Sequence, residues 1–215
     1  MRERVTEKLV FLAFGDSLTV GYQSPKSEDE WPRSTPYTRF LKDKTEKTLG
    51  RTAAVGLRVE FVNRGIVGEL TEDMVDRFNR DVIEPRPDVT IILGGSNDLG
   101  WGLEPQSVAS NLAEMYGEAL GHGIQPVACT VPSVLGFDEG IQPRAQLNQL
   151  IEKCSAELGV ICVDLFSATS DPTGRLREEY SNDGLHLSPL GYEAMAEAIF
   201  FGAVSGIVSK HLTGF

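Results

Sequence analysis

The chain has 215 residues, 41% of them hydrophobic and 24% charged, a balance that fits a folded unit with a sizeable core and excludes a disordered, collagen-like or membrane-embedded chain. Asp and Glu number 31 against 20 Lys and Arg, a formal net charge of −11. That sign excludes a protein that works on phosphate backbones or anionic lipid, so nucleic acid is not an expected partner.

In chain order, Met1 to Lys8 carries mixed charge, and the short apolar run Leu9 to Phe14 reads as a first strand ending at a Gly-Asp-Ser turn. A cleaved signal peptide would take that turn with it, so a cytoplasmic protein is expected unless a leader lies upstream. Tyr22 to Thr35 follows as a loop holding the acidic run Ser27 to Glu30 and Trp31; Tyr37, Phe40 and Leu41 then share a helical face. Strands at Val59 to Val62, Val89 to Leu93, Val127 to Thr130 and Val160 to Val163 alternate with helical faces carrying Leu70, Met74, Phe78 and Val82, then Val108, Leu112, Met115 and Ala119, then Leu147, Leu150, Ile151, Cys154 and Leu158. The last helix starts at Pro189 with Ser188 as its N-cap and runs apolar through Met195, Ile199, Ala203 and Ile207. Its uncharged run, Ala198 to Ser209, is 12 residues long. A bilayer needs about 20, so no membrane span and no stable insertion are expected. Cys129, Cys154 and Cys162 show no CxxC spacing and sit among apolar neighbours, which reads as buried thiols in a reducing compartment.

Strands alternating with helices define a three-layer α/β/α sandwich around a five-stranded parallel sheet, and no linker or repeat divides residues 1–215, so one domain is expected. In such sheets the site lies beyond the carboxyl ends of the strands. Segments 22–35, 99–104, 131–142 and 166–182 are placed to overhang that edge.

The strand ends carry Gly15-Asp16-Ser17-Leu18, Gly65-Ile66-Val67-Gly68 and Gly95-Ser96-Asn97-Asp98, and Asp183-Gly184-Leu185-His186 precedes the last helix. In type and order these sets resemble the nucleophile, glycine, GxND and DxxH blocks of the SGNH (GDSL) hydrolase family, with the bacterial thioesterase–lysophospholipase type as the nearest likeness. The resemblance spans Phe14 to His186. It implies a serine esterase or acyl hydrolase on a flavodoxin-like sheet, acting on a small-molecule ester without metal or cofactor. It also implies an oxyanion hole made of the backbone N–H groups of Ser17 and Gly68 and the side-chain amide of Asn97.

The residues give that chemistry a physical reason. A serine hydroxyl needs a base within hydrogen-bond reach, and an imidazole needs a carboxylate to fix its tautomer. Ser17, His186 and Asp183 supply these groups. Against this, Ser17 is also a plausible helix cap, Gly65 a competing oxyanion donor, Gly68 merely a turn glycine, and Asn97 an Asx-turn residue. His122 lies near a helix C-terminus and His211 in the tail, so neither has His186's paired carboxylate; Asp16 and Asp98 read as structural. HExxH, Gly-Lys-Ser/Thr and G-x-S-x-G motifs are absent, which sets aside zincins, P-loops and the α/β-hydrolase elbow. A carbohydrate O-acetylesterase would use the same residues with different loops, and a catalytically silent flavodoxin-like binding module would keep only the sheet. Trp31 and Trp101 fall near the expected mouth, as an acyl wall, a sugar platform or ordinary loop aromatics.

Overall fold

The computed structural model describes residues 7–213 apart from 26, 28 and 51–55; the chain before Glu7, and Glu28 of the acidic run, therefore lie outside the described residues. The elements in order are β1 (Glu7–Gly15), α1 (Ser17–Val20), β2 (Tyr22–Gln23), β3 (Arg33–Ser34), α2 (Tyr37–Gly50), β4 (Leu57–Gly65) and α3 (Thr71–Phe78). β5 (Val89–Leu93), α4 (Ser96–Gly100), α5 (Pro105–Gly121), β6 (Gln125–Cys129), α6 (Ile141–Leu158), β7 (Ile161–Val163), α7 (Leu165–Thr169), α8 (Pro189–Ile199) and α9 (Ser205–Thr213) complete the chain.

The five expected strands form one parallel sheet in the order β4-β1-β5-β6-β7. Because strand side chains alternate between faces, Phe11 and Ala13 of β1 join a core under α2, α8 and α9, whereas Leu12 and Phe14 join a second core under α3, α5 and α6. In register, Gly15 lies opposite Gly65 of β4 and Leu93 of β5. The carboxyl ends of three adjacent strands are thereby level, and each opens into one of the motif segments.

Four features differ from the sequence reading. Residues 22–35 are not simply a loop: β2 and β3 pair antiparallel as a small hairpin beside the sheet. Cys129 is buried, but Cys154 and Cys162 are only partly so, since β7 is the edge strand and α6 covers it on one side. His211 sits within α9 rather than in a frayed tail, with Nε2 3.2 Å from Glu7 Oε1. The C-terminal helical stretch Pro189–Thr213 is also longer than its uncharged run, 25 residues in all, which is enough by length and composition to cross a bilayer. Met195, Ile199, Ala203 and Ile207 nevertheless point into the sheet core, so its apolar face is already covered by protein.

Candidate active site

At the end of β1 the chain turns sharply into the four-residue helix α1. Asp16 caps it, its Oδ1 accepting the N–H of Leu18 at 2.9 Å, so the cap belongs to Asp16 and Ser17 keeps its hydroxyl. Gly21, in the left-handed conformation, ends the helix and sends the chain into β2. Asp16 is fully buried, and its Oδ2 has no hydrogen-bond partner. Burial pushes its carboxyl up to about 7 against the stabilising Leu18 N–H, with Asp98 adding to the rise.

This shift carries a stability consequence. Between the ordinary carboxylate pKa and about 7 the folded state holds a proton that the unfolded chain releases, so stability falls as pH rises through that window. Asp16→Asn retains an acceptor for Leu18 and removes the ionisation. Chemical denaturation at pH 4, 5.5 and 8 is expected to show the parent losing about 4 kcal/mol that the variant does not lose through this group.

Ser17 Oγ lies 3.2 Å from His186 Nε2, and His186 Nδ1 lies 2.7 Å from Asp183 Oδ2. A carboxylate only accepts, so Nδ1 donates to it and Nε2 presents its lone pair to the serine hydroxyl. The 3.2 Å contact is within the range expected before substrate tightens it. Asp183 Oδ1 accepts the backbone N–H groups of Leu185 at 2.9 Å and His186 at 2.7 Å, and Ser181 Oγ lies 3.3 Å away. Burial alone would raise this carboxyl, but hydrogen bonds from His186, Ser24 and the two backbone amides outweigh it and hold Asp183 well below the usual carboxylate range. Gly184 has φ +84°, and a Cβ there would meet the carbonyl oxygen of Leu135 at 2.1 Å. Only glycine allows loop 131–142 to pack so closely, and Leu135 N–H donates to Gly184 O at 2.8 Å across the contact.

The segment after β4 is tied to the nucleophile turn, Ile66 N–H donating to Gly15 O at 2.9 Å. Gly65 is set aside as an oxyanion donor because its N–H already donates to Asn63 Oδ1 at 2.9 Å, and a Cβ there would lie 2.5 Å from the Val20 nitrogen. Gly68 has φ +79° with open space where a Cβ would stand, so its glycine is required by conformation and not by crowding. Asn97, in the first turn of α4, donates from Nδ2 to Glu69 O at 2.9 Å, which is not an Asx turn and leaves its second amide N–H free of that bond. Glu69 is held in turn by Arg77, Nε to Oε1 at 2.5 Å with a second contact to Oε2, in a buried pair stacked on the Phe14 ring at 4.0 Å. Asp98 accepts from Thr71 N at 3.1 Å and Thr71 Oγ1 at 2.6 Å, tying α4 to the start of α3.

The other histidines lie away from the site: His122 Nδ1 is 2.9 Å from Glu118 O at the end of α5, and His211 faces Glu7. Among the described residues no three His, Cys, Asp or Glu side chains are grouped to hold a metal ion. Sequence reasoning missed Ser24, whose hydroxyl donates to Asp183 Oδ2, and Tyr22, whose ring meets His186 edge-on at 4.6 Å. It also missed Arg77 and Glu69. Trp31 and Trp101 are 87% and 79% exposed, more open than a half-buried loop aromatic. Trp31 borders a groove of about 480 Å³ with Gln23, Ser24, Arg33, Glu178 and Asn182, on the Asp183 side of the dyad.

The parallel sheet, in flavodoxin order, thus carries a Ser17–His186–Asp183 hydrogen-bond chain at its carboxyl edge. The model of the GDSL-like lipase/acylhydrolase family matches residues 13–194, and the chain belongs to that family. Its relatives include the lipoprotein YqeF of Bacillus subtilis, 32% identical over 132 residues that make up 58% of this chain and 49% of that protein. An arylesterase of Vibrio mimicus is 32% identical over 112 residues, 52% of this chain and 48% of that one. The chain thus spans about half the length of the curated relatives it matches. Among solved structures, the lipase/acylhydrolase of Enterococcus faecalis superposes with TM-score 0.71 at 27% identity, covering 89% of this chain and 93% of that one. Axe2, an acetylxylan esterase of Geobacillus stearothermophilus, superposes with TM-score 0.70 at 21% identity, covering 94% and 96%, and shares the fold.

Proposed function

We propose that this ester hydrolase works through Ser17 as nucleophile, His186 as general base and Asp183 as its orienting carboxylate, on small or lipid-like carboxylic esters. The continuous Asp183–His186–Ser17 hydrogen-bond chain carries the reading. Ser17 Oγ attacks the ester carbonyl carbon as its proton passes to His186 Nε2, and the imidazolium then protonates the departing alcohol. Water, deprotonated by the same imidazole, attacks the acyl-serine and releases the acid. The oxyanion of each tetrahedral intermediate is held by the N–H groups of Ser17 and Gly68 and the amide of Asn97. Exposed Ile66 and Val67 directly precede Gly68, Trp101 follows Asn97 by four residues, and the Phe137 ring lies 3.7 Å from the Cβ position of Gly184. Apolar side chains thus stand on three of the site segments, where an acyl chain would lie.

The polar groove beside Trp31 favours a second reading, a sugar O-acetylesterase, the class that Axe2's name gives to that enzyme. p-Nitrophenyl esters of rising chain length, set against acetylated xylan, separate the two. Rates that climb beyond acetate support the acyl reading, and strong preference for acetylxylan overturns it. Free thiols at Cys129, Cys154 and Cys162 support a cytoplasmic location, which fractionation of the native host tests.

Asn97→Ala is expected to lower kcat by roughly 100- to 1,000-fold with little change in KM, because the lost amide bond strengthens only as the oxyanion forms. The bond to Glu69 O is lost as well, for about 1 kcal/mol of stability. Steady-state kinetics and thermal unfolding on one preparation check both, and a destabilised variant with full kcat removes Asn97 from the oxyanion hole.

A further inference from the structure

We infer that Ser24 is a positioning residue for the reaction, acting through Asp183 to set the basicity of the Asp183–His186 pair. This rests on the triad assigned above. Asp183 Oδ2 receives two donors, His186 Nδ1 from its own loop and the Ser24 hydroxyl from a segment 159 positions away in sequence. Among the described residues, the other donors to this carboxylate come from its own loop.

The segment that carries Ser24 is held from several directions. Asn182 Nδ2 donates to Ser24 O at 2.8 Å, and Tyr192 Oη donates to Tyr22 O at 2.7 Å. Gln23 Nε2 donates to Thr35 Oγ1 at 2.7 Å, and Ser34 Oγ to Val20 O at 2.6 Å, so the β2–β3 hairpin is anchored at both ends. The same hairpin sets the Tyr22 ring edge against the imidazole. One small hairpin therefore grips both members of the dyad.

The chemical consequence follows from sharing one oxygen. A second donor on Oδ2 shares the carboxylate charge that stabilises the imidazolium formed as Ser17 attacks. It also keeps the carboxylate plane aimed at Nδ1. Among the described residues, the titratable groups facing the Asp183–His186 pair are Tyr22 from β2, Asp16 from the turn before α1 and Tyr192 from α8; Glu30, Arg33, Glu178 and Glu179 border the groove beside Ser24. Ser24→Ala removes none of them.

The test is the pH profile of kcat/KM on a p-nitrophenyl ester for the parent, Ser24→Ala and Ser24→Thr. Alanine is expected to move the acid limb upward by roughly half a unit to one unit and to lower the plateau about 3- to 10-fold, with threonine restoring the parental limb. An alanine variant with a lower melting temperature but an unmoved limb overturns the inference, as does a threonine variant that shifts like alanine. If alanine does not fold, Ser24→Cys keeps the volume with a weak donor, and the same limb is read. The parent's own profile keeps the two readings separate: without a histidine limb in the parent the triad assignment fails, whereas an intact parental limb unmoved in the variants sinks only the role of Ser24.

Discussion

Replacing Ser17 with alanine is expected to lower kcat by on the order of a million-fold while leaving the fold intact. The side chain loses one atom, and Asp16, not Ser17, caps α1, so unfolding should change by less than about 1 kcal/mol. What survives is the slow background from the oxyanion donors and substrate binding, since water attacking unaided has no activated nucleophile. A fluorophosphonate probe followed by peptide mapping gives the complementary result. Label is expected on Ser17 and not on Ser96, whose buried hydroxyl accepts from Arg144 at 3.2 Å and has no imidazole beside it. Near-parental turnover in the variant would remove the mechanism.

Asp183→Asn is the second large effect, roughly 1,000- to 10,000-fold in kcat. The asparagine oxygen can still accept the Leu185 and His186 amides, so the loop keeps its shape. The NH2 group then faces His186 Nδ1 where the carboxylate accepted, and donor meets donor. The imidazole relieves this by moving its proton to Nε2, which can no longer accept from Ser17. The variant is therefore expected to fold and bind ester but to turn over slowly. Rapid-quench measurement of acylation places the loss in the first chemical step, and an undiminished acylation rate would show that Asp183 does not set the tautomer.

Much of the framework was legible because it rests on local periodicity. Val89 to Leu93 is apolar throughout and proves to be a strand buried at every position in the middle of the sheet. Strand ends were readable too, since Gly15 and Gly65 mark them and pair opposite each other. Ser17, Asp183 and His186 stood out through the resemblance of their motifs, in type and order, to the SGNH (GDSL) blocks and through the chemistry those residue types allow, and the structure brings them into contact. What stayed hidden depends on contacts between distant segments. β2 and β3 are two residues each, too short for any alternation to show, and they form because Ser34 and Thr35 bond back to Val20 and Gly21. Ser24 looks like any loop serine until Asp183 arrives. Nothing in the local pattern sets Glu69 and Arg77 apart, yet both are buried because Gly15 O and the Phe14 ring receive the guanidinium.

The segments bearing Ser17, Gly68 and Asn97 issue from adjoining strands, whereas Asp183 and His186 ride on a loop fastened by Leu135, Ser24 and Asn182. Ser17 and His186 therefore belong to regions with different opening free energies, the first tied to global unfolding of the sheet and the second to release of a few hydrogen bonds. On heating, the base-bearing loop should come away while the sheet is still native, so activity is expected to vanish below the melting transition and to return on cooling. Comparing the temperature at which half the activity is lost with the midpoint seen by far-ultraviolet circular dichroism measures the gap, and coincident midpoints would mean that the loop opens only with the sheet.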